Sequence, residues 1–152
     1  MTEAARSAFT YSIFIRATPD AVWSALIDPE QTQIYWFGFR SQSDWRPGSS
    51  WTLCFPDGRV ADTGEVVEAV FPSRLVLKWR NEFKPELKAE GYSTCAFDIE
   101  TEGGATHLKV THDIAGVDSP FIKGVSWGWP RILSNLKSLL ETGEIAVVHE
   151  TN

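Results

Sequence analysis

SPFIKGVSWGWPRILSNLKSLLETG, residues 119–143, decides how the rest of the chain is read. Trp129, Ile132, Leu133, Leu136, Leu139 and Leu140 recur at spacings of three and four, which places them on one stripe of a helix. Arg131, Ser134, Lys137 and Ser138 fall largely off that stripe. Ser119-Pro120 reads as an N-cap followed by proline at the first helical position, and Gly143 as the C-terminal stop. Pro130 lacks an N–H and its ring crowds the carbonyl of Ser126. It therefore predicts a kink, or a helix that starts only near Trp129. A long apolar helix face closing a strand-rich chain needs a sheet to lie on.

That sheet is written between Phe9 and Ile114. Phe9–Arg16 alternates Phe9, Tyr11, Ile13 and Ile15 against Thr10, Ser12, Phe14 and Arg16, a first strand. Thr18-Pro19-Asp20 opens a helix with a Val22, Trp23, Leu26, Ile27 stripe, ended by Asp28-Pro29. Pro29-Glu30 begins a second short helix through Tyr35, leading into Tyr35-Trp36-Phe37. Strands are then expected over Phe39–Ser43, Ser50–Phe55, Ala61–Val70, Arg74–Asn81, Tyr92–Thr101 and Ala105–Ile114. Turns at Pro47-Gly48, Pro56-Asp57-Gly58, Pro72-Ser73 and Gly103-Gly104 separate them, with a polar loop over Phe83–Gly91. Helices at the ends of a run of about five or six hairpin-linked strands argue an α+β domain with its helices on one sheet face. The expectation is a single domain over 1–152, with residues 144–152 a loose tail.

Composition narrows the function classes. Hydrophobic residues make up 43% and charged residues 22%, which argues for a packed globular domain rather than disorder. Seven Trp and nine Phe are an unusual aromatic count; such rings enlarge a core, and they also line apolar clefts. A net charge of -6 without a Lys/Arg cluster disfavours nucleic acid. No apolar run approaches the roughly 20 residues that span a bilayer, and MTEAARSAFTY carries no signal-peptide core. Cys54 and Cys95 then read as reduced and buried, and the location as cytoplasmic.

The strand-to-helix opening Ile15-Arg16-Ala17-Thr18-Pro19-Asp20-Ala21-Val22-Trp23-Ser24-Ala25-Leu26, the following Asp28-Pro29-Glu30, and Trp36 resemble one known family. So does the closing set Gly128-Trp129, Leu133, Leu136, Leu140 and Gly143. The resemblance is to the START-like (SRPBCC) superfamily, within it to the branch of homologues of the heat-shock-protein-90 ATPase activator. It implies the helix-grip fold: a curved antiparallel sheet of about six to seven strands around the long C-terminal helix, with an apolar cavity between them. Pro130, directly after Gly-Trp, departs from the family's pattern.

With that shell, the inward strand faces carry Trp51, Leu53, Phe55, Leu75, Leu77, Trp79, Cys95, Phe97, Leu108, Val110 and His112 toward the helix stripe. The candidate ligand-binding residues are Trp36, Trp51, Phe55, Trp79, Phe97, His112, Trp129 and Leu133. Rings this large either interdigitate into solid core or leave a lined hole. His112 could hydrogen-bond a ligand or act as a base; the bland alternative is a structural histidine bonded to backbone or to Asp113. His107 points the other way and His149 belongs to the tail. Glu68, in phase with Val66 and Val70, is the carboxylate to watch among Glu65, Glu68, Glu82, Asp98 and Glu100, because a buried carboxyl has a raised pKa; the bland alternative, which the rarity of buried charge favours, is a solvated outer sheet face. The histidines do not converge and no paired-cysteine spacing occurs, so neither metal nor cofactor is expected. Cys54 reads as packing rather than a nucleophile. Trp127 falls opposite the stripe, marking a partner or homodimer surface unless a kink at Pro130 swings it inward.

Three functions follow. The first is binding of a small hydrophobic or aromatic molecule between sheet and helix. The second is a cyclase- or hydratase-like enzyme using His112 or Glu68 in the same cavity. The third, implied by the branch's name alone, is an interaction module stimulating a chaperone ATPase.

Overall fold

Seven stretches of alternating sequence pair edge to edge in the order β1-β7-β6-β5-β4-β3-β2. They belong to a computed structural model that describes residues 5–148. The strands are β1 (Arg6–Ile15), β2 (Arg40–Ser43), β3 (Ser50–Cys54), β4 (Val60–Val70), β5 (Arg74–Asn81), β6 (Ser93–Glu102) and β7 (Ala105–Ala115). All pairings are antiparallel. Strands β2 to β7 form a meander. β1 returns to the far edge and pairs with β7, from Arg6 opposite Ala115 to Ile15 opposite Thr106.

The crossing from one edge to the other is made by α1 (Pro19–Ile27) and α2 (Pro29–Tyr35). Each starts as the sequence requires. The Thr18 hydroxyl accepts from the Ala21 N–H at 3.1 Å, and the Asp28 carboxylate from the Glu30 N–H at 2.9 Å, each with proline in the first turn. Asp28 therefore ends one helix and caps the next. A short helix α3 (Pro85–Lys88) occupies the Phe83–Gly91 segment that reads from sequence as a polar loop. One turn of helix is too short to leave a periodic signature.

Helix α4 (Pro120–Thr142) runs unbroken through Pro130 and does not start near Trp129. Proline inside a helix costs about 3 kcal/mol. The buried Trp129, Ile132, Leu133 and Leu136 supply the compensating burial on the same and following turns. The Ser119 hydroxyl caps it by accepting from the Ile122 N–H at 3.1 Å, and Gly143 closes it at φ 83°. Glu90, in the loop after α3, takes the Ser119 hydroxyl and the Phe121 N–H, which ties the first turn of α4 to the sheet. At the far end, Lys137 donates to the Phe14 carbonyl and Glu141 accepts from the Arg16 N–H.

Two further points are decided by the structure. Glu68 and Val70 do not face inward, and for Glu68 the solvated outer face holds. The pairing of β4 with β5 slips between Val66 and Glu68, so Val66 opposes Leu77 while Glu68 opposes Val76. One extra residue, Val67, flips the phase. Glu68 then lies on the outer face, 45% exposed in an ion pair with Arg74, and Ala69 takes the core-facing place. The segment after Gly143 is also held in part. Buried Asn135 accepts from the N–H groups of Ala146 and Val147 and donates to the Val147 carbonyl, and Ile145 packs on the core. Residues 149–152, with His149, lie outside the described residues.

Candidate functional site

The space between α4 and the sheet is neither solid nor hollow throughout. Below the middle of α4 the rings interlock; toward its first turns a cleft of ≈ 250 Å³ opens. Three strands make its floor. In the row Trp51 (β3), Gly64 (β4), Trp79 (β5), glycine stands between two tryptophans in register. A Cβ on Gly64 would lie 1.7 Å from the Lys78 carbonyl oxygen, so no other residue fits there. With no side chain between them, the Trp51 and Trp79 rings meet at 4.5 Å. Trp36 arrives from the end of α2, where Phe37 (φ 52°) and Gly38 (φ 87°) turn the chain sharply. Its ring lies 5.8 Å from Trp79 and 5.3 Å from Trp129.

The eight candidate residues divide into layers. Trp36, Trp79 and Trp129 line the cleft. Trp51, Phe97, Leu133 and His112 form the layer behind them, each 2% exposed or less. Phe55 lies past the end of β3, at the rim, against Phe39 (5.1 Å), Phe83 (4.9 Å) and the Arg59 guanidinium (4.7 Å). Leu53, Phe39, Phe83, Leu87, Phe121 and Ile132 complete the apolar wall, and Gly124 and Gly128 of α4 border it.

His112 points inward but is sealed. Its Nδ1 accepts from the Trp129 indole N–H at 3.2 Å, and its Nε2 meets the Ser93 hydroxyl at 2.8 Å. Ser93 in turn donates to the Trp79 carbonyl at 2.8 Å. With Nδ1 occupied as an acceptor, the neutral ring carries its proton on Nε2 and gives it to Ser93. Burial lowers the imidazole pKa to about 3. Both nitrogens are committed, to Trp129 and Ser93 rather than to backbone or Asp113. His112 thus positions two of the three cleft tryptophans, Trp129 directly and Trp79 through Ser93, and is not available as a base. Together with the outward Glu68, this removes both residues on which the cyclase- or hydratase-like alternative depended.

The carboxylate that does reach the cleft is Asp62. It opposes Leu53 on one side and Asn81 on the other, and is 6% exposed. Burial pushes its carboxyl up to about 7; the Trp79 indole N–H, hydrogen-bonded to it, pulls the other way, and the Glu82 charge adds to the rise. No ion pair among the described residues involves it. Glu82 is tied to Arg80, Lys88 and Thr63 instead. Asn81 accepts from the Phe83 and Lys84 N–H groups, which leaves its amide N–H₂ as the part it can offer. The signal for Asp62 was present, since the alternation that puts Val66 inward also puts Asp62 and Gly64 inward. The slip at Val67 then turns Glu68 out of that phase and leaves Asp62 in it.

Cys54 and Cys95 are free and buried, and burial raises the Cys95 thiol pKa. No group of three potential metal ligands occurs among the described residues. Trp127 faces outward, 62% exposed, with the Arg131 guanidinium 3.9 Å above its ring. No helix among them is long and apolar enough to cross a membrane.

A curved seven-stranded antiparallel sheet closed by a long C-terminal helix, with an aromatic cleft between them, is the α+β helix-grip architecture of the START-like proteins. Residues 16–141 match the family described as Activator of Hsp90 ATPase homolog 1-like protein, and the chain belongs to that family. Its fold is similar to that of a Mesorhizobium loti protein of 19% identity (TM-score 0.76; 91% of this chain and 100% of that one covered). It is also similar to the Aha1 dimer from Colwellia psychrerythraea (18% identity, TM-score 0.73, 90% and 98% covered). An Hsp90 activator from Plasmodium falciparum is a third relative in shape (21% identity, TM-score 0.71, 88% and 95% covered). No curated protein matches the chain.

Proposed function

We propose that this protein binds a small hydrophobic or aromatic molecule in the cleft bounded by Trp36, Trp79, Trp129 and Phe121. The carrying observation is the cleft itself: ≈ 250 Å³ walled by aromatic rings, with Asp62 and Asn81 as convergent polar groups. Ligand sites of this kind run from roughly 300 Å³ upward, so the guest is small, near one or two rings in size. Trp51, Phe97, Leu133 and His112 serve it from behind by fixing the wall, and Phe55 by closing the rim.

The test is titration of tryptophan fluorescence with naphthalene and indole, alongside Gly128→Leu. A Cβ on Gly128 meets only Ile132 Cδ1, at 3.7 Å, so the backbone tolerates the change while the longer side chain fills the cleft. Saturable quenching in the native chain, lost in the variant, is expected. A linear, unsaturable response, or the same response from both proteins, would refute the reading.

A second reading, stimulation of a chaperone ATPase, is favoured by the family match and by the Plasmodium relative's being an Hsp90 activator. It predicts faster ATP turnover by an Hsp90-type chaperone when this chain is added, unaffected by Gly128→Leu. The Colwellia relative's being a dimer supports a homodimer as a companion proposal. Sedimentation equilibrium giving only the 17.0 kDa species would end it.

A further inference from the structure

Resting on the cleft being a ligand site, the geometry points to a cationic guest. We infer that the pocket takes a fully alkylated ammonium on an apolar body, its charged head held between the Asp62 carboxylate and the indoles of Trp36, Trp79 and Trp129. Asp62 is a carboxylate 94% withdrawn from water, without an ion-pair partner among the described residues, on a wall made, apart from Asn81 and Lys84, of rings and aliphatic groups. A charge in that position is costly unless something opposite joins it. Among the described residues the protein supplies no such group. Among the described residues the one cationic side chain bordering the cleft, Lys84, is exposed with its Nζ 5.9 Å from the Phe83 ring centre.

The alternatives fit less well. An anion would meet Asp62 and the nearby Glu82 charge, both repulsive. A metal ion would find no group of three His, Cys, Asp or Glu side chains to hold it among the described residues. A primary ammonium brings three N–H donors, and the cleft wall offers few acceptors beyond Asp62, because the Asn81 oxygen already serves Phe83 and Lys84. A quaternary or tertiary head has at most one N–H to satisfy, and it draws on ring faces, which attract cations most strongly when desolvated.

The discriminating pair is benzyltrimethylammonium and neopentylbenzene, which share a shape and differ in nitrogen cation against carbon. Both are titrated into the full chain by calorimetry and tryptophan fluorescence, into native protein and Asp62→Asn, at pH 8 and pH 5.5. The charge on the ligand is fixed, so any pH effect belongs to the protein. With its carboxyl at about 7, Asp62 is ionised at the higher pH and protonated at the lower. Glu82, held at about 2, stays ionised at both.

At pH 8 the native chain should prefer the cation by at least about tenfold, and Asp62→Asn should bring the two ligands within about threefold of each other. At pH 5.5 the preference of the native chain should contract, and cation binding should release a proton that the neutral ligand does not. Equal or tighter binding of neopentylbenzene by native protein at pH 8 overturns the inference and leaves the hydrophobic site standing. A cation preference that survives Asp62→Asn also overturns it. Binding of neither ligand overturns both.

Discussion

Asp62→Asn should make the protein more stable at neutral pH, and the size of the gain follows from the carboxyl's position. A group ionising at 3.8 in the unfolded chain and about 7 in the fold holds its proton more tightly when folded. Stability is then complete below the unfolded pKa, falls as pH rises through the window from 3.8 to about 7, and levels off above it. The full loss is about 4 kcal/mol, an upper value because the asparagine amide must also find partners. His112 runs the other way. Its folded pKa of about 3 means stability is lost as pH falls below 6.5, by about 2 kcal/mol at pH 5. Over pH 8 to 5 the two effects nearly cancel, since protonating Asp62 restores roughly 2–3 kcal/mol. The native chain should therefore show an almost level urea-unfolding free energy across that range. The variant, freed of Asp62, should start higher at pH 8 by on the order of 2–4 kcal/mol and decline by about 2 on acidification. A variant less stable than native protein at pH 8, or a gap between them that does not shrink toward pH 5, would refute the placement of an uncompensated carboxyl in the cleft.

Gly124→Ala with Gly128→Ala should raise the unfolding free energy by about 1–2 kcal/mol, because both positions are helix interior. A Cβ at Gly124 meets nothing within 4 Å and one at Gly128 only an ordinary contact; a lower melting temperature for the pair would contradict this. His112→Leu leaves the Trp129 indole N–H buried without its acceptor and takes the Nε2 donor from Ser93, a cost of about 2–4 kcal/mol. A denaturation midpoint unchanged from native would show that the histidine does not hold Trp129 and Trp79.

What could be read from the chain and what could not divides along a physical line. Local signals decided the elements. The Thr18 and Asp28 caps, the Trp129-to-Leu136 stripe and the alternation of Cys95, Phe97 and Ile99 each depend on residues within one or two turns of one another, and all three stand in the structure. The resemblance at both ends of the chain set the topology that joins them. The site depended on pairings across the sheet. That Glu68 does not join Asp62 on the inner face is settled by one residue of slip against β5, which nothing inside β4 announces. That His112 faces inward was legible from Leu108 and Val110. That it is saturated was not, because its partners Ser93 and Trp129 come from another strand and from α4. The gap among the rings follows from how the indoles tilt against each other, 33° between Trp36 and Trp79 and 77° between Trp79 and Trp129, which composition does not encode.

The unfavourable choices in this fold converge on one place. Asp62 holds a carboxyl where burial opposes its charge, and Gly124 and Gly128 weaken the half of α4 that borders the same cleft. A chain selected only to fold would replace all three, since each has a compatible and more stable substitute. Residues one layer back, His112 and Ser93, show the opposite economy, with every polar atom matched. The two groups should therefore separate experimentally. Asp62→Asn and the glycine replacements should gain stability while weakening binding of a cation or of any guest. His112→Leu should lose stability, yet the protein that remains folded should still take up a neutral aromatic probe. If stability and binding instead fall together at Asp62, the carboxylate belongs to the architecture, and the cleft is packing rather than purpose.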